Sequence, residues 1–481
     1  MAITEPAPGA QDAQGHGLIR SMRWYDGFIV CLSASGFMLS TLGYSIGALG
    51  ALGALLLWGI SVVIGGLQSY VFTEPATMFP DHSGGLAAYA REAWRRRMNL
   101  FAPLAGFAYW IAFTSTFAVF GLIAADLIKS QWFSGQDWTL SAGFLSIGFS
   151  QVVACAIIVV VWTINVAGMR PTKLFGYVTG VIFIGVLIAF AALPFLTGSW
   201  TSSFMTSNLF DGGFSWEGVQ IVLVWLYLMG WSSYPTEQAA TFAPEYHDPI
   251  HDTRKGLMSA ATFTLAAFVL VPFALGGVMS QDAIGADPVA FYVTALQQMV
   301  GSFGAGVAVI LIVVACLLTM NASTMNASRA LYSTAQRGHS LKWFAKLNQN
   351  KVPANAMTLD MVVNIVVVLV LNSVIGIIAA SNMAYFVVVI LALGGVALMR
   401  IDLPNHPRPI RLKVAWMIVA VVLALANLAM LVVGSLSFSL TGYGGIGTFF
   451  FGLGALLFGL VLYLWRVYVQ DKSRIVIRDR S

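Results

Sequence analysis

The sequence predicts an all-α polytopic membrane protein with twelve transmembrane helices. Three observations carry that prediction: the composition, a succession of membrane-length apolar segments, and a one-sided distribution of basic residues. Of 481 residues, 58% are hydrophobic and only 9% are charged, and the mean hydropathy is +0.81. A soluble globular chain is about 25% charged. The balance excludes a disordered chain, and it argues against a nucleic-acid-binding one despite a pI near 9.1.

A helix needs about 20 apolar residues to cross the hydrocarbon. Twelve segments meet that need, at 26–48, 50–78, 100–128, 145–168, 172–197, 217–242, 256–279, 301–335, 356–374, 377–399, 412–436 and 443–469. The stretch 286–300, ADPVAFYVTALQQMV, is amphipathic and is expected to lie along the membrane surface between spans seven and eight. Residues 1–19 lack a basic start followed by an apolar run, so they read as a polar tail rather than a cleavable leader. The expected organisation is a tail at 1–23, helices one to five at 24–198, helices six to ten at 199–400, two further helices at 401–469, and a second tail at 470–481.

Twelve spans put both termini on one side. The loops and helix ends on that side hold 24 of the 25 Lys and Arg residues, and the other side holds Lys129 alone. The positive-inside rule places that side in the cytoplasm, where the basic rim faces anionic lipid. Cys31, Cys155 and Cys316 stand far apart in apolar runs and suggest neither a metal site nor a disulfide framework. Five histidines fall in predicted loops and His16 in the tail, without metal-ligand spacing.

Two spans carry signs of interruption, and irregular backbone survives inside hydrocarbon only where protein or a wet cavity satisfies it. Span one contains Ser33-Ala34-Ser35-Gly36. Span six reads WLYLMGWSSYPTEQAA, with Pro235 and Glu237 in its middle. Proline removes an N–H and clashes with the carbonyl four residues back, and it pushes Tyr234 away from helical angles. Spans one and six hold the same position in two five-helix halves. Five is odd, so the halves would be oppositely oriented. Paired interruptions of this kind point to a transporter site near the bilayer midplane. A half-helix starting near Ser35-Gly36 would offer N–H groups to a carboxylate. Carbonyls freed before Pro235 would suit an ammonium group. The bland alternatives are small-residue helix packing at Ser33–Gly36 and a simple proline kink at Pro235.

The same residues resemble the amino acid–polyamine–organocation superfamily, and within it bacterial amino acid permeases. The stretch ASGFM at 34–38 is similar to that family's Gly-Ser-Gly-Ile-Phe turn, with Ala34 in place of the first glycine. The stretch EPATMFPDHSGGLAAYAREAW at 74–94 resembles the family's exit from helix two. Trp231 to Pro249 resembles helix six and its cytoplasmic exit, and SRALYSTAQRGHSLKWFAKLNQNKVPANA at 328–356 resembles the exit from helix eight. The resemblance implies a LeuT-like 5+5 inverted repeat plus two C-terminal helices, with helices one and six discontinuous and substrate between helices one, three, six, eight and ten. It implies substrate contacts at Ser33, Ala34, Ser35, Gly36 and Phe37, with Ser35 and Gly36 at the carboxylate. Phe113, Phe117 and Phe120 of helix three and Ser323 of helix eight would form walls. Trp231 would be an aromatic gate, followed by Ser232, Ser233 and Tyr234. Glu237 would fall at an acidic, pH-linked position. Two departures stand out: Pro235 replaces a glycine usual at the break, and span five has no internal lysine, so lysine-based coupling is not expected.

Glu237 has two readings, a proton-coupling or amine-binding carboxylate and a static bonded one. Glu74 is expected to be a paired structural carboxylate facing a basic loop. Asp126 and Lys129 are expected to pair at the external end of span three, and Asp360 to sit at a helix start. Thr319, Ser323 and Thr324 offer oxygens to sodium, or else bond their own helix backbone; a proton is the favoured driving ion. No cofactor and no enzymatic activity are expected. The expected protein is a secondary carrier of amino acids or related small amines in the bacterial cytoplasmic membrane, a monomer or weak homodimer with lipid as its surroundings. A transport-dead nutrient sensor and a channel are the alternatives.

Overall fold

The computed structural model describes residues 18–142, 145–210, 213–370, 374–441 and 446–479. It is helical almost throughout. In chain order the elements are α1 (Trp24–Leu39), α2 (Leu42–Leu49), α3 (Ala51–Met78), α4 (Gly85–Met98), α5 (Phe101–Thr114), α6 (Thr116–Trp132), a hairpin of β1 (Thr139–Ala142) and β2 (Leu145–Gly148), α7 (Phe149–Val166) and α8 (Met169–Leu196). Then come α9 (Trp216–Ser233), a 3-10 segment (Pro235–Glu245), α10 (Pro249–Gly276), α11 (Gln281–Ala286), α12 (Phe291–Gln336), α13 (Ala354–Val370), α14 (Val374–Asp402), α15 (Val414–Leu436) and α16 (Ile446–Trp465).

Ten helical stretches among the described residues are long and apolar enough to cross a membrane. Two of the twelve expected spans lie outside that ten. One is α9, which stops at Ser233 where the polar stretch begins, and the other is α13, a described helix of 17 residues. Span four starts at Phe149 rather than 145, because the residues before it pair as the antiparallel β1–β2 hairpin, Thr139 opposite Gly148. The amphipathic 286–300 stretch begins α12. A kink at Gly301, with φ of 79°, separates it from the spanning part. That φ favours glycine. The segment folds over the end of span one, where the Tyr292 hydroxyl donates to the Leu39 carbonyl at 3.1 Å.

Span one departs from the expected geometry. α1 runs unbroken through Ser35 and Gly36, and the chain leaves the helix at Ser40 and Thr41. Small residues did mark this region, but they serve close packing there. A Cβ on Gly36 would sit 2.1 Å from the Thr319 hydroxyl of α12. Ser40 and Thr41 instead turn their hydroxyls back onto the Phe37 carbonyl, at 2.7 and 3.5 Å. Such local bonds compete with helix. Span six breaks where expected. Its helix ends at Ser233, and eleven residues from Pro235 continue as 3-10 helix. Runs of that length are uncommon and mark strain or a hinge.

The basic loops meet at one end of the molecule. Glu74, buried at the end of α3, accepts from Arg400 at 2.5 Å, Arg408 at 3.2 Å and the Leu412 amide at 2.9 Å. It is thus a paired structural carboxylate. The tail after α16 docks at the same end. The Asn99 amide donates to the Ile477 carbonyl at 2.7 Å, and the Asp479 amide donates to the Arg95 carbonyl at 2.8 Å. Lys129 forms its ion pair with Asp137 at 3.0 Å and also interacts electrostatically with Asp126, one turn earlier. Asp360 also differs from expectation. It lies one to two turns inside α13, buried, and accepts from the Trp110 indole at 2.5 Å.

His339 follows α12 at the basic end. Burial, together with Arg91 and Arg337, lowers its pKa from 6.5 to about 4 against the raising effect of Asp479. The unfolded chain therefore binds one more proton than the folded chain between those values. Stability then rises with pH across that window. We predict that purified protein loses stability as pH falls from 6.5 toward 4, and that His339→Gln flattens this part of the profile by up to about 3 kcal/mol. Thermal unfolding over a pH series measures it.

Candidate functional site

The interruptions of spans one and six face each other. The Ser232 hydroxyl at the end of α9 donates to the Phe37 carbonyl at 3.2 Å and lies 3.2 Å from the Thr41 hydroxyl. Span six thus supplies a partner for a carbonyl beside the break in span one, as apolar surroundings demand. Phe37 stacks on Trp231 with ring centroids 4.6 Å apart, and Phe120 lies 5.6 Å from Phe37 and 6.5 Å from Trp231. Each such aromatic pair contributes about 0.5–1.5 kcal/mol beyond area burial. The Trp231 indole donates to the Ala112 carbonyl at 2.8 Å. That bond anchors the stack to the end of α5, beside the short break between α5 and α6. Phe37 and Trp231 thus lie in contact where the two breaks meet.

Toward the basic end lies a carboxylate site. Glu237, 1% exposed, accepts from Tyr109 of α5 at 2.7 Å and from Tyr385 of α14 at 3.1 Å. Tyr109 is also 3.2 Å from the Thr241 hydroxyl. No Lys or Arg pairs with Glu237 among the described residues. Gln238, next in the chain, donates to the Ser33 hydroxyl at 3.1 Å. The hydroxyls of Ser35 and Ser323 are buried and have no hydrogen-bond partner among the described residues. Buried polar groups are ordinarily satisfied, so such exceptions call for an explanation.

The structure brings Ser33, Phe37, Phe113, Phe120, Trp231, Ser232 and Glu237 into one region. Phe113 connects its two halves, with ring centroids 6.5 Å from Phe37 and 4.9 Å from Tyr109. Ala34, Ser35, Gly36 and Phe117 are buried on the adjoining turns of α1 and α6. Ser233 and Tyr234 turn away. The Ser233 hydroxyl lies 2.6 Å from Ser61 of α3, and the Tyr234 ring packs 5.8 Å from Phe386. Of the candidate sodium ligands, Thr319 and Thr324 donate to Ala315 and Met320 of their own helix, each at 2.9 Å.

Tyr109, Tyr385 and Gln238 were missed by the sequence reading. Tyr109 carried a signal, since it precedes Phe113 and Phe117 at four-residue spacing on one helical face. Arg329 was assigned to the basic rim. It is instead fully buried in α12 and pairs with Glu245 at 2.8 Å.

A family model for amino acid permeases matches residues 27–462. This chain belongs to that amino acid permease family. Three relatives illustrate its range. The chain is 25% identical to a gamma-aminobutyric acid permease of Bacillus subtilis, over 57% of this chain and 56% of that protein. It is 24% identical to an arginine/ornithine antiporter of Lactococcus lactis, over 60% and 59%. It is 27% identical to an aromatic amino acid transport protein of Corynebacterium glutamicum, over 68% of each. The match thus spans little more than half the length of the first two relatives. All three are named as transporters, and none as an enzyme.

In this permease-family chain the close approach of α1 to α12 is the most exacting contact of the site. We predict that Gly36→Ala destabilises the purified protein by about 1–3 kcal/mol through overpacking. Adding Thr319→Ala, which removes the opposing hydroxyl, should recover most of the loss. Thermal unfolding of both variants measures it.

Proposed function

We propose that this chain is a secondary carrier of amino acids or related small amines, working by alternating access across the bacterial cytoplasmic membrane. The observation that carries the proposal is the meeting of two interrupted spans at the Phe37–Trp231 pair, joined through Phe113 to a buried carboxylate that, among the described residues, is held by two tyrosines. A static scaffold gains nothing from that arrangement. Breaking two helices and burying an acid cost free energy. The finer architecture follows the same reading. Twelve spans, with α9 plus its 3-10 extension and α13 completing the count, form two oppositely oriented five-helix halves and two further helices, with both termini in the cytoplasm.

In the proposed cycle, substrate lies between the breaks. Its carboxylate faces span one between Ser35 and Thr41, and its amino group faces the carbonyl end of α9 near Trp231. Phe37, Phe113, Phe117, Phe120 and Trp231 form the walls. Ser33, Ala34, Gly36, Ser232 and Ser323 lie at its margin, while Ser233 and Tyr234 brace α9 against α3 and α14. Glu237 takes up and releases a proton. No cofactor takes part, and a proton is preferred to sodium as the driving ion.

Two latches close the cytoplasmic side. The Glu245–Arg329 pair ties the 3-10 segment to α12, at 2.8 and 3.2 Å. Asp26 at the start of α1 receives the Tyr177 hydroxyl and lies 3.6 Å from Lys173 of α8. Residues before α1 travel with span six, because the amides of Ser21 and Met22 donate to the Glu245 carbonyl at 3.0 and 2.9 Å. Opening would move α1 and the 3-10 segment together and part both latches.

Uptake of labelled amino acids and amines into proteoliposomes tests the proposal, with imposed proton or sodium gradients. Saturable uptake with counterflow is expected. Ligand binding without flux would replace the carrier with a sensor, and non-saturating flux would replace it with a channel. Glu237→Gln should abolish the pH dependence of uptake while leaving counterflow. An unchanged pH profile removes Glu237 from coupling.

A further inference from the structure

A cavity of about 480 Å³ opens on the far face of α5 from the carrier site. Phe107, Trp110, Ile111 and Thr114 line it at helical spacing, whereas Tyr109 and Phe113 face the other way, toward Glu237 and Phe37. Val363 and Val367 of α13 form one flank, and Phe451 and Phe458 of α16 form the other. α13 and α16 do not pack closely along their lengths, and the two phenylalanines are 51% and 54% exposed. The mouth therefore opens sideways into hydrocarbon.

The few polar groups at its inner wall satisfy one another. The Asn364 amide donates to the Thr114 hydroxyl at 3.0 Å, and the Ser381 hydroxyl donates to Ser115 at 2.6 Å. The lining residues carry no charged group, and an apolar cavity stays dry. Its lining forfeits dispersion contacts unless something fills it. The lining on α16 runs from Phe451 to Leu462, eleven helical rises or about 16 Å of helix. One leaflet of the hydrocarbon core is about 15 Å deep. Leu341 and Phe344 close the cavity at the basic end. On the same turn Lys342, Trp343 and Lys346 are exposed, with Lys342 also 2.7 Å from Asp471. An amphipathic turn with basic and aromatic residues at that depth suits a phosphate headgroup.

We propose that this cavity is a lipid site. It takes one acyl chain of an anionic phospholipid from the leaflet on the basic face, with the headgroup phosphate against Lys342, Trp343 and Lys346. The inference rests on the fold and stands whatever uptake assays show.

The test uses the full chain in liposomes doped with phosphatidylglycerol carrying a photoreactive diazirine midway along one acyl chain, with labelled peptides mapped by mass spectrometry. Label is expected to concentrate on 107–115, 359–367 and 451–462, well above that on the outward face of α15. Ala455→Trp, which fills the cavity, should remove this label and spare that on α15. Val367→Phe provides a second filling variant if the first fails to fold. Lys346→Gln should weaken labelling about fivefold, and unlabelled phosphatidylglycerol should compete better than phosphatidylcholine. Label spread evenly over the lipid-facing surface, or label that persists in both filled variants, overturns the site. Equal competition by the two lipids overturns the anionic assignment.

Discussion

Backbone amides and carbonyls inside hydrocarbon must find partners within the protein, and much of this structure follows from where that requirement is hardest to meet. Two spans lose helical hydrogen bonds part-way along their length. The chain meets the cost by placing the two breaks together. Ser232 reaches the Phe37 carbonyl, Ser40 and Thr41 turn back on the same residue, and Tyr292 covers the Leu39 carbonyl. In this structure the two breaks are therefore held against each other by hydroxyl groups that donate to the Phe37 and Leu39 carbonyls.

Around that junction the charges divide by role. At the basic end, Glu74 with Arg400 and Arg408 fastens α3 to α14 and the loop after it. Glu245 with Arg329 instead joins the broken span to α12, and the pair is 1% and 0% exposed. Removing one partner of such a pair strands a buried charge. Glu237 differs from both. Its partners are two tyrosine hydroxyls, which can donate to a carboxylate or rearrange around a carboxylic acid without leaving a charge unpaired.

The fold class was legible because membrane helices obey a strong length and polarity rule. Several of the basic loops do meet at one end, where Arg400 and Arg408 share Glu74. The break in span six was legible through Pro235, whose covalent chemistry forces it. The break in span one was misplaced by about five residues. Ser-Ala-Ser-Gly is a signal for both interruption and close packing, and here the glycine serves the approach of α12. The small hydroxyls that do end the helix, Ser40 and Thr41, look ordinary in sequence. Tyr385 was invisible because it reaches Glu237 from α14, 148 residues away. Arg329 was misread because charge near a helix end looks like rim unless its partner, 84 residues distant, is known.

The central claim is that the two breaks together form one ligand site. A structure of the reconstituted protein, with an amino acid found by binding assay, tests it most directly. The account predicts the ligand between Ser35–Thr41 and Trp231–Ser232, with the Phe37–Trp231 stack parted. A ligand bound elsewhere while that stack stays closed, at its 4.6 Å separation, would contradict it.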